Sequence, residues 1–245
     1  MPAAARNLPA VIGRLLAALR DLLAALGAAV APPACWSCRG TVAPGRPLCP
    51  ACQSQLRFLR GARCPRCGLP APCGRRCPAA GSAVERAWAP VAFEGPARAL
   101  VHALKFRSAL GVADVMAAQI VAGAPAELLA ASATLVPVPT HPLRRRMRGF
   151  DQADCLAAAL AARTGLPMSR CLVRAGAPTR QAGASRSARR MPGRIDVRVR
   201  GDPPRSVVLV DDVHTTGATL AACGSALRRA GAYTVCAVAY ARALS

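Results

Sequence analysis

At 245 residues the chain has room for one α/β domain plus a small module, since a core domain of about 150 residues buries roughly 70% of its unfolded surface. The formal net charge of +22 comes from 33 basic and 11 acidic residues, and every base except Lys105 is an arginine. Such a field attracts polyanions, but aromatic residues are only 3% of the chain, which excludes an extended base-stacking platform and leaves weak, salt-sensitive contact with nucleic acid.

Residues 8–31 carry Leu15, Leu16, Leu19, Leu22, Leu23 and Leu26 at helical spacing. Arg14, Arg20 and Asp21 interrupt the run, leaving no charge-free span of about 18 residues and placing a charged pair inside what would be the apolar part of a signal peptide. We therefore expect no transmembrane span, a cytoplasmic protein, and an amphipathic N-terminal helix over residues 1–33 that packs on the rest of the chain or touches a membrane interface.

Eight of the twelve cysteines follow as Cys35-x2-Cys38, Cys49-x2-Cys52, Cys64-x2-Cys67 and Cys73-x3-Cys77. Paired knuckles at this density read as two four-cysteine zinc sites over residues 34–80. The simplest pairing is sequential, with a cross-braced pairing as the alternative. A full set of four protein ligands leaves no open position, so both sites read as structural. Trp36, Leu48, Leu56, Phe58 and Leu59 are too few for a separate core, and metal binding must supply much of the module's folding energy.

Beyond a short linker, residues 84–245 alternate strand and helix, which implies an α/β fold with a largely parallel sheet flanked by helices. The pattern predicts a strand over 88–93, a helix over 96–106 beginning with proline, a helix over 113–123, and a strand over 134–139 that leaves the sheet at its prolines. A helix over 156–163 follows, then a turn at 164–167. The Gly-, Ser- and Arg-rich segment 178–200 reads as a loop. A buried strand at 207–210, a helix at about 217–230 closed by Gly231, and a last strand over 233–240 complete the set.

The segment Val207-Val-Leu-Val-Asp211-Asp212-Val-His214-Thr215-Thr216-Gly217-Ala218-Thr219 is the most informative. A short run of mostly β-branched residues predicts a strand buried on both faces, with Asp211 and Asp212 emerging at its carboxyl end, where open α/β sheets bind ligands. Adjacent carboxylates only accept hydrogen bonds, which suits the two hydroxyls of a ribose. Thr215, Thr216, Gly217, Ala218 and Thr219 then offer backbone N–H groups and hydroxyls at a helix N-terminus, which suit a phosphate. No lysine follows the glycine as a Walker loop requires, and there is no G-x-G-x-x-G. The segment resembles the phosphoribosyl pyrophosphate (PRPP) signature of type I phosphoribosyltransferases. Arg144, Arg145, Arg146 and Arg148 follow the strand at 134–139 and suit the pyrophosphate end of PRPP, with Arg144 and Arg148 as the candidate ligands. Lys105, the lone lysine, marks a position where an ammonium is specifically wanted.

Together with Val101-His102-Ala103-Leu104-Lys105-Phe106-Arg107, the stretch from Val136 to Gln152 and the stretch from Gln181 to Arg190, these motifs resemble the ComF family over about residues 33–242. The resemblance implies a type I phosphoribosyltransferase-like fold behind a double zinc ribbon. It also implies a role in the uptake or processing of transforming single-stranded DNA in competent bacteria, among competence and recombination proteins. Asp211, Asp212 and Lys105 would be the catalytic residues of a phosphoribosyl transfer with Mg²⁺ and PRPP, the acceptor being undetermined. The alternative is an adaptor that senses PRPP or binds single-stranded DNA without turnover. The family pattern has Asn at the position of Asp151 and a Glu-Arg…Asn element where this chain has Ala188, Arg189 and Pro192, departures that bear on catalysis more than on binding.

Overall fold

Val207 and Leu209 point to one side of their strand and Val208 and Val210 to the other, and all four are buried because both faces of the sheet are covered. The computed structural model describes residues 33–74, 77–105, 110–142, 146–147, 149–174 and 195–244. The N-terminal helix expected over 8–31, Arg144, Arg145, Arg148 and residues 184–192 lie outside these.

The sheet is parallel. Its central strands are β6 (Ser206–His214) and β7 (Thr234–Arg242), with β3 (Thr134–Pro137) beside β6, and β1 (Arg86–Trp88) and β2 (Val91–Ala92) both beside β7. The expected single strand over 88–93 is thus two short pieces. Pro90 offers no N–H to the ladder, and its carbonyl instead accepts from Leu59 N–H at 2.8 Å. Phe58 bridges Val91 antiparallel and Ala92 N–H donates to the Arg57 carbonyl at 2.9 Å, so the segment between the cysteine knuckles covers this edge of the sheet.

Helices α2 (Gly95–Ala103), α3 (Leu110–Gly123) and α4 (Gln152–Thr164) cover one face; α1 (Pro50–Ser54) belongs to the cysteine-rich module. Leu100, Met116, Ile120, Leu156 and Leu160 are fully buried there against Val208, Val210, Val238 and Tyr240, each side chain stabilising by about 1.5–3 kcal/mol. The Tyr240 hydroxyl donates to Gln119 Oε1 at 2.8 Å, which satisfies the polar end of an otherwise buried ring. Val42, Leu48 and Leu56 of the cysteine-rich module join this same cluster, which is how a segment too poor for its own core is held.

Helix α5 (Ala218–Arg229) packs on the opposite face through Leu220, Cys223, Ala226 and Leu227. Beside it lies a ribbon absent from the sequence expectation, β4 (Leu172–Arg174) paired antiparallel with β5 (Val197–Val199). Segment 178–200 therefore ends in a strand rather than continuing as loop. Leu172 and Val197 are buried and supply the reason.

Candidate functional site

The ladder between β3 and β6 stops at the pair Pro137–Val210, while the ladder between β6 and β7 continues through His214 and Arg242. Val138 N–H still reaches the Val210 carbonyl at 2.9 Å, and then Pro139 removes the next donor and the chain turns away. Asp211 and Asp212 therefore lie inside a strand that is paired on one side only, not past its end as expected. The open side is the crevice.

The turn is fixed by Asp151. Its carboxylate accepts from Thr140 N–H at 3.0 Å, Thr140 Oγ1 at 3.0 Å and Ala153 N–H at 3.1 Å, so one side chain caps α4 and ties residue 140 to it. Both carboxylate oxygens are used as acceptors, whereas an asparagine has one. The departure from the family pattern at this position thus has a local structural use.

A cavity of about 290 Å³ occupies the crevice. Asp211, Asp212, Thr215, Thr219 and Lys105 all line it, as do Phe93, Val101, Thr140, His141, Gln152 and Arg174. Thr216, Gly217 and Ala218 instead line a separate cavity of about 220 Å³ on the far side of the loop, with His214 and Arg66. The sequence motif is thus split between two walls. The Asp211 carboxyl accepts from Asp212 N–H at 2.8 Å, and burial together with the neighbouring Asp212 holds it well above the usual carboxylate range. Such a paired-acid wall favours hydroxyl donors or a divalent cation as occupant.

His214 is buried, and burial with the nearby Arg242 guanidinium lowers it to about 4, so the ring is neutral. It sits under Gly217, whose φ of +81° opens helix α5; a Cβ there would lie 2.8 Å from His214 Nε2. Its place is support of the loop from below. The sequence alone assigns no role to Thr140, Phe93 or Gln152, and counts Arg174 only as one of eight arginines between 174 and 200 able to track a phosphate backbone. Arg174 had one signal, its place in an arginine-rich stretch, and Thr140 only its position between Pro139 and His141.

A third cavity of about 430 Å³ meets the crevice at Val138, Pro139, Thr140 and Arg174. Phe150 and Leu172 give it an apolar wall, and Arg170 and Arg200 a basic one, with Arg170 paired to Asp154.

The knuckle cysteines gather as Cys35, Cys38, Cys49 and Cys52 and as Cys64, Cys67, Cys73 and Cys77, the sulfurs of each set lying within 4.8 Å of one another. This is the sequential grouping. Cys38 and Cys49 Sγ are 3.7 Å apart, as are Cys64 and Cys77 Sγ. A tetrahedron with Zn–S bonds of about 2.3 Å has edges of about 3.8 Å, so the clusters fit zinc. The knuckles repeat one another: Arg39 N–H donates to the Cys35 carbonyl and Gly68 N–H to the Cys64 carbonyl, both at 2.9 Å, with φ of +66° and +69°. The Cys67 amide leads in drawing the Cys64 thiol down to about 6, while burial pushes Cys67 up to about 12. Four adjacent thiols cannot all ionise without a cation among them.

Among the described residues no helix is long and apolar enough to cross a membrane. Residues 26–81 match the double zinc ribbon domain. The chain is 33% identical over 222 residues to the DNA utilization protein YhgH of Salmonella typhi, covering 83% of this chain and 94% of that protein. The YhgH proteins of Escherichia coli O157:H7 and K12 are 32% and 31% identical over 223 and 231 residues, with the same coverage. An α/β chain with two cysteine clusters in the zinc-ribbon arrangement, related over most of its length to these proteins, belongs to the family of the DNA utilization proteins YhgH.

Proposed function

We propose that this protein binds PRPP with Mg²⁺ in the crevice between β3 and β6 and acts as a phosphoribosyltransferase-like protein of the cytoplasm in the use of DNA. The observation that carries the reading is the convergence of Asp211, Asp212, Thr215, Thr219 and Lys105 on one cavity. The carboxylates accept hydrogen bonds from the ribose hydroxyls. Thr215 and Thr219, the loop residues that line the crevice, donate to the 5′-phosphate. Lys105 and Arg174 offset charge at the pyrophosphate, with Arg144 and Arg148 as further candidates from sequence. Asp211 and Asp212 are the residues that would face the metal, which, bound with PRPP, supplies neutralisation of the leaving group. The adjoining cavity leaves room for a second reactant, whose nucleophile attacks the anomeric carbon as pyrophosphate departs with the bonding electrons.

The role in DNA use rests on the names of the relatives. A second reading, a PRPP sensor or single-stranded-DNA adaptor without turnover, is favoured by the exposed Arg170, Arg198 and Arg200 around the β4–β5 ribbon, which suit a phosphate backbone. Calorimetry of PRPP with Mg²⁺ against the wild type and an Asp211→Asn, Asp212→Asn double variant tests the shared premise. Binding by the wild type alone supports it, and equal binding by both removes the carboxylate assignment. Pyrophosphate release on incubation with nucleobases and cell extract then separates enzyme from sensor.

A further inference from the structure

Arg242 is buried at the end of β7, and the hydrogen bonds seen from its Nε and Nη1 all go to backbone carbonyls, those of Cys67, His214, Thr215 and Ala243. Nε donates to the Cys67 carbonyl at 2.9 Å, inside the second cysteine cluster. Nη1 donates to the carbonyls of His214, at 2.8 Å, and of Thr215, the residues where β6 becomes the loop at the crevice. A buried charge of this kind is costly unless well paired, and the backbone carbonyls around Arg242 supply that pairing.

The consequence is directional. In a planar trans peptide the C=O of one residue and the N–H of the next point in opposite directions. Holding the carbonyls of His214 and Thr215 toward Arg242 therefore turns the N–H groups of Thr215 and Thr216 away from it. The His214 carbonyl also accepts from Ala243 N–H at 3.0 Å, so the Thr215 amide is oriented jointly by the strand ladder and Arg242, while the Thr216 amide is oriented through the Thr215 carbonyl by a side chain that lines neither wall of the loop. The far anchor of that side chain is Cys67, whose knuckle meets β1 on either side of it: Ala87 N–H donates to the Pro65 carbonyl at 2.8 Å, and Gly68 packs so closely that a Cβ would meet the Ala87 carbonyl oxygen at 3.1 Å.

We infer that Arg242 is a positioning residue that makes the second cysteine cluster, through Cys67, part of the scaffold of the phosphate-binding loop, so that metal occupancy of that cluster governs how well the loop is preorganised for an anion. The affinity part of this inference rests on the PRPP reading; the loop-ordering part does not. The first cluster has no such link among the hydrogen bonds seen; its neighbours Val42, Leu48 and Leu56 belong instead to the apolar cluster on the other side of the sheet from α5.

The test compares full-length wild type with Arg242→Lys, Cys73→Ser in the second cluster and Cys38→Ser in the first, by amide hydrogen exchange of residues 213–219 and by calorimetry with PRPP and Mg²⁺. Lysine keeps the charge but not the fork that spans Cys67 and the loop. The expected result is loop exchange faster by about tenfold to a hundredfold in Arg242→Lys and Cys73→Ser, with PRPP weakened by a similar factor and with little change in Cys38→Ser. Zinc content should stay at the wild-type value in Arg242→Lys. Unchanged loop exchange in a folded Arg242→Lys protein overturns the inference, as does equal loosening by Cys38→Ser and Cys73→Ser. If Arg242→Lys does not fold, the two cysteine variants decide it. If the wild type binds no PRPP, the functional reading fails while the exchange data still decide the coupling.

Discussion

Replacing Gly217 by alanine isolates the contact that shapes the loop, because the chain contains its own control. Gly217 has φ +81° and ψ 1°, and Gly165, which closes α4, has φ +72° and ψ 2°. An alanine in this left-handed region costs about 1–2 kcal/mol at either position. Nothing lies within 4 Å of a Cβ at 165, whereas at 217 it would meet His214 Nε2 at 2.8 Å, on a buried ring with little freedom to yield. Overpacking of this kind adds about 1–3 kcal/mol. Urea denaturation at pH 7.5 should therefore show Gly217→Ala destabilised by about 2–5 kcal/mol and Gly165→Ala by about 1–2 kcal/mol. In a His214→Ala background the cost of Gly217→Ala should fall by about 1–3 kcal/mol, toward that of the control. Equal costs at the two glycines, or a cost at 217 unaffected by the loss of the ring, would refute the account of His214 as the loop's support.

The remaining predictions use the same fold. His214, neutral in the native state with its value lowered to about 4, is protonated in the unfolded chain below about 6.5, so stability falls as pH drops through that window. Between pH 7.5 and 5 the loss should be about 2 kcal/mol, and His214→Gln should flatten that slope in denaturation curves. Asp211 is shifted the other way: its folded value is raised, so the carboxyl loses stability as pH rises, and Asp211→Asn should raise the unfolding midpoint at pH 7.5 while weakening PRPP and Mg²⁺ binding. Elemental analysis should find about two zinc ions per chain. Because Val42, Leu48 and Leu56 share a core with α3 and α4, chelation should lower one cooperative melting transition; a separate early transition for the cysteine module would contradict the shared core. Binding to single-stranded DNA should weaken with salt at a log–log slope of about −0.7 per phosphate contacted, and affinity unchanged between about 50 and 200 mM would remove the electrostatic reading.

Local patterns carried a large part of this structure. The spacing of Cys35 to Cys77 announced two four-thiol clusters because a knuckle closes over a few residues, and the same turn recurs at Arg39 and Gly68. The apolar run 207–210 announced a strand covered on both faces, and the residues after it announced a helix N-terminus. Their continuation was not legible: β6 reaches His214 because β7 runs beside it to Arg242, a pairing that no window of sequence contains. Arginines at 198 and 200 masked a strand whose buried side is carried by Val197 and, in part, Val199. Composition and spacing thus named the ligand-type residues, because metal knuckles and turn chemistry are built from neighbours in the chain. Only the tertiary structure decided that the Asp211-to-Thr219 motif splits between two cavities, that the cysteine module shares the domain's core, and that Arg242 reaches from Cys67 to Thr215, because these depend on contacts between residues far apart in sequence.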